Sequence, residues 1–190
     1  MKFLSLILPA YLIYGYATTS AKTKCLSLLL IICTLFATNV FSDTQDPEEQ
    51  YNLGLMYDNG EGVPEDDKEA VKWFRLAAEQ GDAKAQYNLG VMYANGYGVP
   101  EDDKEAVKWY RLAAEQGDAM AQHNLGVRYA TGEGVPKDNV IAYVWLNLAR
   151  ANGLDNSQNI GIIEKEISPE DKVESQKLSR QLMKDYPGVY

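Results

Sequence analysis

The stretch GVPEDDKEAVKW occupies residues 62–73 and recurs letter for letter at 98–109. A catalytic loop has no reason to be written twice 36 positions apart, whereas a stack of like building blocks does. Extended in both directions, Tyr51–Lys84 aligns with Tyr87–Met120 without a gap and matches at 29 of 34 positions. The five differences are Leu55/Val91, Asp58/Ala94, Glu61/Tyr97, Phe74/Tyr110 and Lys84/Met120. A third copy, His123–Asn156, matches the second at 16 of 34. Repeats of this length are the signature of solenoids, in which each unit buries its apolar face only against its neighbours.

The middle copy reads as helix–turn–helix. Gly81 suits the left-handed end of one helix, and Asp82 is a capping residue for the next. Ala85, Leu89 and Tyr93 fall at i, i+4 and i+8, one helical face. Gly90 costs that helix about 1 kcal/mol relative to alanine, so it is expected to admit a neighbouring backbone; Gly54 and Gly126 take the same role. Asn95-Gly96 stops the helix, and Tyr97-Gly98-Val99-Pro100 forms the turn. Glu101, Asp102 and Asp103 suit the positive end of a second helix. That helix carries the apolar stripe Ala106, Trp109, Tyr110, Ala113 and Ala114, with Lys104, Lys108 and Arg111 on its wetter side. Trp109 is read as the large filler of its unit, with Trp73 and Trp145 as its counterparts.

The ends differ from the middle. Asp46, Pro47 and Glu49 form a helix start with a capping box. Val140, Ile141 and Val144 stand where the earlier copies carry charged residues, so the third unit needs a cover. A short helix within 156–166, with Ile160, Ile163 and Ile167 inward, and a longer one after Ser168 are predicted to supply it. Val173, Leu178, Leu182 and Met183 are the expected buried face of the latter. The organisation is thus a leader at 1–42, three repeats at 46–156 and capping helices at 157–186.

The combination of Ala85, Leu89-Gly90, Tyr93, Gly96, Gly98-Val99, Ala106, Trp109, Ala113-Ala114 and Gly117 resembles the Sel1-like repeat, a relative of the tetratricopeptide repeat. The resemblance covers about 46–184. It implies an all-α fold, an α/α superhelical solenoid, and the work of a scaffold or adaptor that binds protein or peptide. Several bacterial members are exported. A cysteine-rich branch is described as binding or cleaving β-lactams; this chain lacks the cysteines that pair its helices.

The first 42 residues hold no Asp or Glu and three Lys. The apolar segment 25–41, led by Lys22 and Lys24, has the form of a secretory signal, with cleavage expected after Ser42. Export to the periplasm or beyond follows from that reading; the alternative is an anchor that holds the chain to the membrane through 25–41. Cys25 and Cys33 both lie in this leader, so the region after it can form no disulfide and no thiolate metal site. Residues 43–190 carry all 27 acidic and 15 of the 18 basic residues, a net charge of −12. Such a surface disfavours nucleic acid.

Catalytic signals are weak. The glycine turns lack the lysine and hydroxyl residue that end a phosphate-binding loop. The acidic triplets lack calcium-loop spacing. His123, the single histidine, takes the register place of Tyr51 and Tyr87 and has no nucleophile or second ligand beside it in sequence. No catalytic residue, metal or cofactor is expected. A hydrolase acting on a β-lactam or cell-wall amide, and a purely structural spacer, are the alternatives to a scaffold. The expected binding surface is the concave wall of the first helices: Asn52, Met56, Asn88, Met92, Asn95, Asn124 and Arg128. Asparagine can bond a peptide backbone without demanding one sequence, and methionine adapts to irregular apolar shapes.

Overall fold

The structure, a computed structural model, describes residues 45–185. The expectations placed on the leader lie outside the described residues. Within them the chain forms eight helices and no strand. The first repeat comprises α1 (Pro47–Asn59) and α2 (Asp67–Glu79), the second α3 (Ala83–Asn95) and α4 (Asp103–Glu115), and the third α5 (Ala119–Thr131) and α6 (Asn139–Ala151). Then come α7 (Ser157–Ile163) and α8 (Pro169–Asp185). Each first helix packs on its own second helix, and each second helix on the next first helix. This is an α/α solenoid.

Local chemistry sets every boundary in the same way. Asp46, Asp82 and Asp118 cap the first helices; the latter two accept from the amides of Ala85 and Ala121 at 2.7 Å. Asp66, Asp102 and Asp138 cap the second helices, each accepting two backbone N–H groups. The first helices end at Gly60, Gly96 and Gly132, whose positive φ of 68°, 73° and 82° is open to glycine at little cost.

The repeated geometry of the stack rests on close approach. A Cβ on Gly54 would lie 2.5 Å from the Phe74 ring, and one on Gly90 2.6 Å from the Tyr110 ring. The neighbour that these glycines admit is therefore an aromatic side chain, not the backbone expected from sequence. At Gly126 the intruders are Leu146 and the Ala142 carbonyl. Between repeats the contact is indeed backbone. A Cβ on Gly98 would lie 2.3 Å from the Asp67 carbonyl oxygen, and one on Gly134 2.3 Å from that of Asp103. The second and third turns thus rest on the second helix of the preceding unit.

The tryptophans serve that same seam. Trp109 is buried in the core cluster that joins the first and second repeats, with Phe74, Ala77, Leu89 and Met92. Trp145 packs against the cluster of the second. They fill their own units and the seam to the preceding one together, because the second helix faces the preceding repeat as well as its partner helix. Trp73 is half-buried.

At the C-terminal end, α7 and α8 both pack on α6. Ile160 and Ile163 are buried, and Ile167 packs on the same cluster. The Ser168 hydroxyl accepts from the Asp171 amide at 3.0 Å and starts α8. Val144 is buried and Val140 half-buried. The contact face of α8 differs from the expected one. Val173 is 64 % exposed and Leu178 49 %, while Ser175 and Ser179 are buried. Their hydroxyls donate to the carbonyls of Asp171 and Ser175 within the helix, so no polar group is stranded. Small side chains with satisfied hydroxyls let α8 approach α6 closely; Val173 and Leu178 are left outside, while Leu182 and Met183 are half-buried.

Candidate interaction surface

Along the first helices, Tyr51, Tyr87 and His123 occupy one register and Asn52, Asn88 and Asn124 the next. The tyrosines lean on the second helix of their own unit. Tyr51 meets Phe74 with ring centroids 5.8 Å apart, and Tyr87 meets Tyr110 at 6.0 Å, both tilted. Asn88 lies against the Tyr51 hydroxyl, and Asn124 serves both Tyr87 and Tyr110. The Lys84 ammonium sits 6.0 Å from the Tyr51 ring centroid. The outcome is a wall of tilted aromatic rings edged by amides, running from repeat to repeat.

The expected surface residues separate into three groups. Asn52 and Asn95 are exposed, and Asn88 and Asn124 half-buried. Asn95 donates to the Val91 carbonyl of its own helix at 2.8 Å. Met92 is only 2 % exposed and belongs to the core, which removes it from the wall. An interior first helix is gripped by two second helices, so a wider face is buried than one stripe implies; Met56, on the first unit, stays half-exposed. Arg128 takes the same register but cannot be buried alone as a charge. It pairs with Asp103 at 2.7 Å and Glu133 at 2.6 Å, and so ties the third turn to the second repeat.

Behind the wall runs a polar staple that the sequence reading passed over. Gln50, Gln86 and Gln122 are buried. Gln80 and Gln116 donate to Gln50 and Gln86 at 2.7 Å, and Asn152 donates to Gln122 at 3.2 Å. Gln86 and Gln122 donate in turn to the carbonyls of Ala78 and Ala114 in the preceding unit. Glutamine at 36-residue intervals was the available signal. On the opposite flank Arg75 bonds the Tyr93 hydroxyl at 2.5 Å and Arg111 that of Tyr129 at 2.6 Å.

Burial shapes the titration of these rings. It pushes Tyr110 up to about 12, opposed by Asn124. Tyr51 and Tyr87 are raised in the same direction, chiefly by burial, and His123 is lowered by it. Tyr110 yields a test with a definite sign. The unfolded chain loses this proton near pH 10 while the folded chain holds it, so stability is full below pH 10 and declines as pH rises toward about 12. Chemical denaturation across that window is expected to show the decline, with a shallower slope in Tyr110→Phe, which copies Phe74.

Among the described residues no group of three or more His, Cys, Asp or Glu side chains is placed to hold a metal. No helix there is long and apolar enough to cross a membrane.

The Sel1 repeat matches at residues 50–82, 83–118 and 119–154, over half of the chain. The chain belongs to the Sel1 repeat family. No curated protein matches it. Among solved structures it is similar to a protective antigen of uropathogenic Escherichia coli strains that displays an SLR fold. There the identity is 37 % and the TM-score 0.71, over 78 % of this chain and 32 % of that one. It is also similar to a Sel1 repeat protein from Oxalobacter formigenes at 36 % identity and TM-score 0.62, over 72 % of this chain and 59 % of the other. The chain therefore spans about a third and about three fifths of these relatives. Sel1 repeats commonly mediate protein–protein interaction, and this chain has their stacked surface.

Proposed function

We propose that this Sel1 repeat protein is an exported scaffold of the bacterial envelope. It binds an extended segment of a partner protein along the wall of its first helices. The observation that carries the reading is the register of Tyr51, Tyr87 and His123 beside Asn52, Asn88 and Asn124. Rings with accessible edges and amides with spare hydrogen-bonding capacity suit a peptide backbone with intermittent side-chain contacts. Export rests on the cationic lead and apolar segment 25–41. Against a hydrolase stands the placement of the serines: Ser168 is a helix cap, and Ser175 and Ser179 bond their own helix.

Site-specific photo-crosslinking in the native host tests the wall. A photoreactive residue at Asn52, Asn88 or Asn124 is expected to trap the same partner. One at Lys104 or Lys108, exposed on α4, is expected to trap none. Adducts confined to α4, or absent from all three wall positions, would refute the reading.

A further inference from the structure

The near-identity of the first two repeats makes their few differences informative. At Tyr51 the ring carries a cation from its own chain, the Lys84 ammonium 6.0 Å from the centroid. The position equivalent to Lys84 one repeat later is Met120, which is 44 % exposed. Tyr87, equivalent to Tyr51, therefore has no such cation from its own chain among the described residues, although its ring is held in the same way, tilted on Tyr110. We propose that the Tyr87 face is a subsite for a cationic side chain, lysine or arginine, of the bound segment. The inference rests on the wall being the binding surface and goes beyond it by naming the chemistry recognised.

Three features favour a cation. The face of a tyrosine attracts positive charge through its ring quadrupole. Asp118, which caps α5 two residues before Met120, supplies a carboxylate close enough to act on Tyr87, one oxygen accepting the Ala121 amide. The region after the leader carries a net charge of −12, which draws basic segments and repels acidic ones. Met120 adds a thioether that can adapt to the stem of a lysine or arginine. At Tyr51 the same place is filled by Lys84, so the wall distinguishes one aromatic position from the next and fixes where along it a basic residue sits.

The test uses protein expressed from the full chain and purified as the cell processes it. The probes are an acetylated, amidated Ala-Lys-Ala-Lys-Ala peptide and its glutamate counterpart. NMR titration is expected to show the lysine peptide perturbing the Asn124 amide and the Met120 methyl, and the glutamate peptide leaving both unmoved. Met120→Lys supplies the internal cation and is expected to weaken binding about three- to fivefold, the size of a cation–π contact. Leu112→Lys adds the same charge on exposed α4 and controls for net charge; it is expected to change binding much less. Lys84→Met is expected to open a second response at Asn88. Equal weakening by Met120→Lys and Leu112→Lys, or lysine-peptide shifts away from Asn124, would overturn the proposal. Crosslinks at Asn52, Asn88 and Asn124 alongside that result would leave the wall intact and remove only the cation subsite.

Discussion

Gly90→Ala is expected to destabilise the protein by about 2–3 kcal/mol, despite an alanine being the better helix former by about 1 kcal/mol. The new Cβ would sit 2.6 Å from a Tyr110 ring that is 2 % exposed and held in the core of its repeat. The ring has no free volume to enter, so the strain passes to Tyr87 and to the α3–α4 packing. A matched control lies in α7: a Cβ on Gly161 would meet nothing within 4 Å, so Gly161→Ala is expected to be neutral or stabilising by up to about 1 kcal/mol. A double-mutant cycle isolates the cause. If the ring is the obstacle, Tyr110→Leu costs less in the Gly90→Ala background than in the native one. Thermal or denaturant melts decide it; equal stability of Gly90→Ala and the native protein would show that the repeat spacing does not depend on this contact.

Removing α8 by a stop after Ser168 is expected to lower the melting temperature by roughly 5–10 °C and to promote association. The repeats themselves indicate what would be exposed. Leu76 and Leu112 occupy equivalent positions on α2 and α4 and are 45 % and 39 % exposed, whereas Leu148 on α6 is 0 % exposed. The third repeat differs in that α8 packs on α6. Val144 is buried there as well. Without α8 a third exposed leucine joins the row beside a newly uncovered valine, an apolar surface of the kind that draws protein contacts. The helical signal of the first two repeats is expected to survive, because repeat stacks are stabilised unit by unit and between neighbours. Point variants locate the contact face. Val173→Asp is expected to change stability by less than about 0.5 kcal/mol. Ser179→Leu, which overfills a buried position, is expected to cost about 1–3 kcal/mol. Melts of the truncated and full proteins, with light scattering, provide the readout; identical melts and masses would mean that α8 is not a cap.

Much of this architecture was legible because its determinants are local. Asp82 and Asp102 cap helices by bonding amides two or three residues away, and Gly96 ends one by its own φ. A 36-residue recurrence of such signals fixes the repeat, the all-helical class and the stacking. The shared register of Asn52, Asn88 and Asn124 was legible for the same reason, since they recur at the same interval beside the apolar stripe. Sequence did not decide which neighbour a residue meets across the stack. Met92 reads as an outward residue until α2 closes on α3, and only the stack shows that Trp109 and Trp145 reach the preceding unit as well as their own. Gly90 signals a close approach in sequence, but only the packing of α4 identifies a ring. On α8 the serines, not Val173 and Leu178, became the buried face. Hydrophobicity ranks side chains by transfer from water, whereas α6 selects the face that fits it at close range once the hydroxyls are satisfied. Periodicity determines where helices begin, end and repeat; the contact between helices far apart in sequence determines which of their faces is buried.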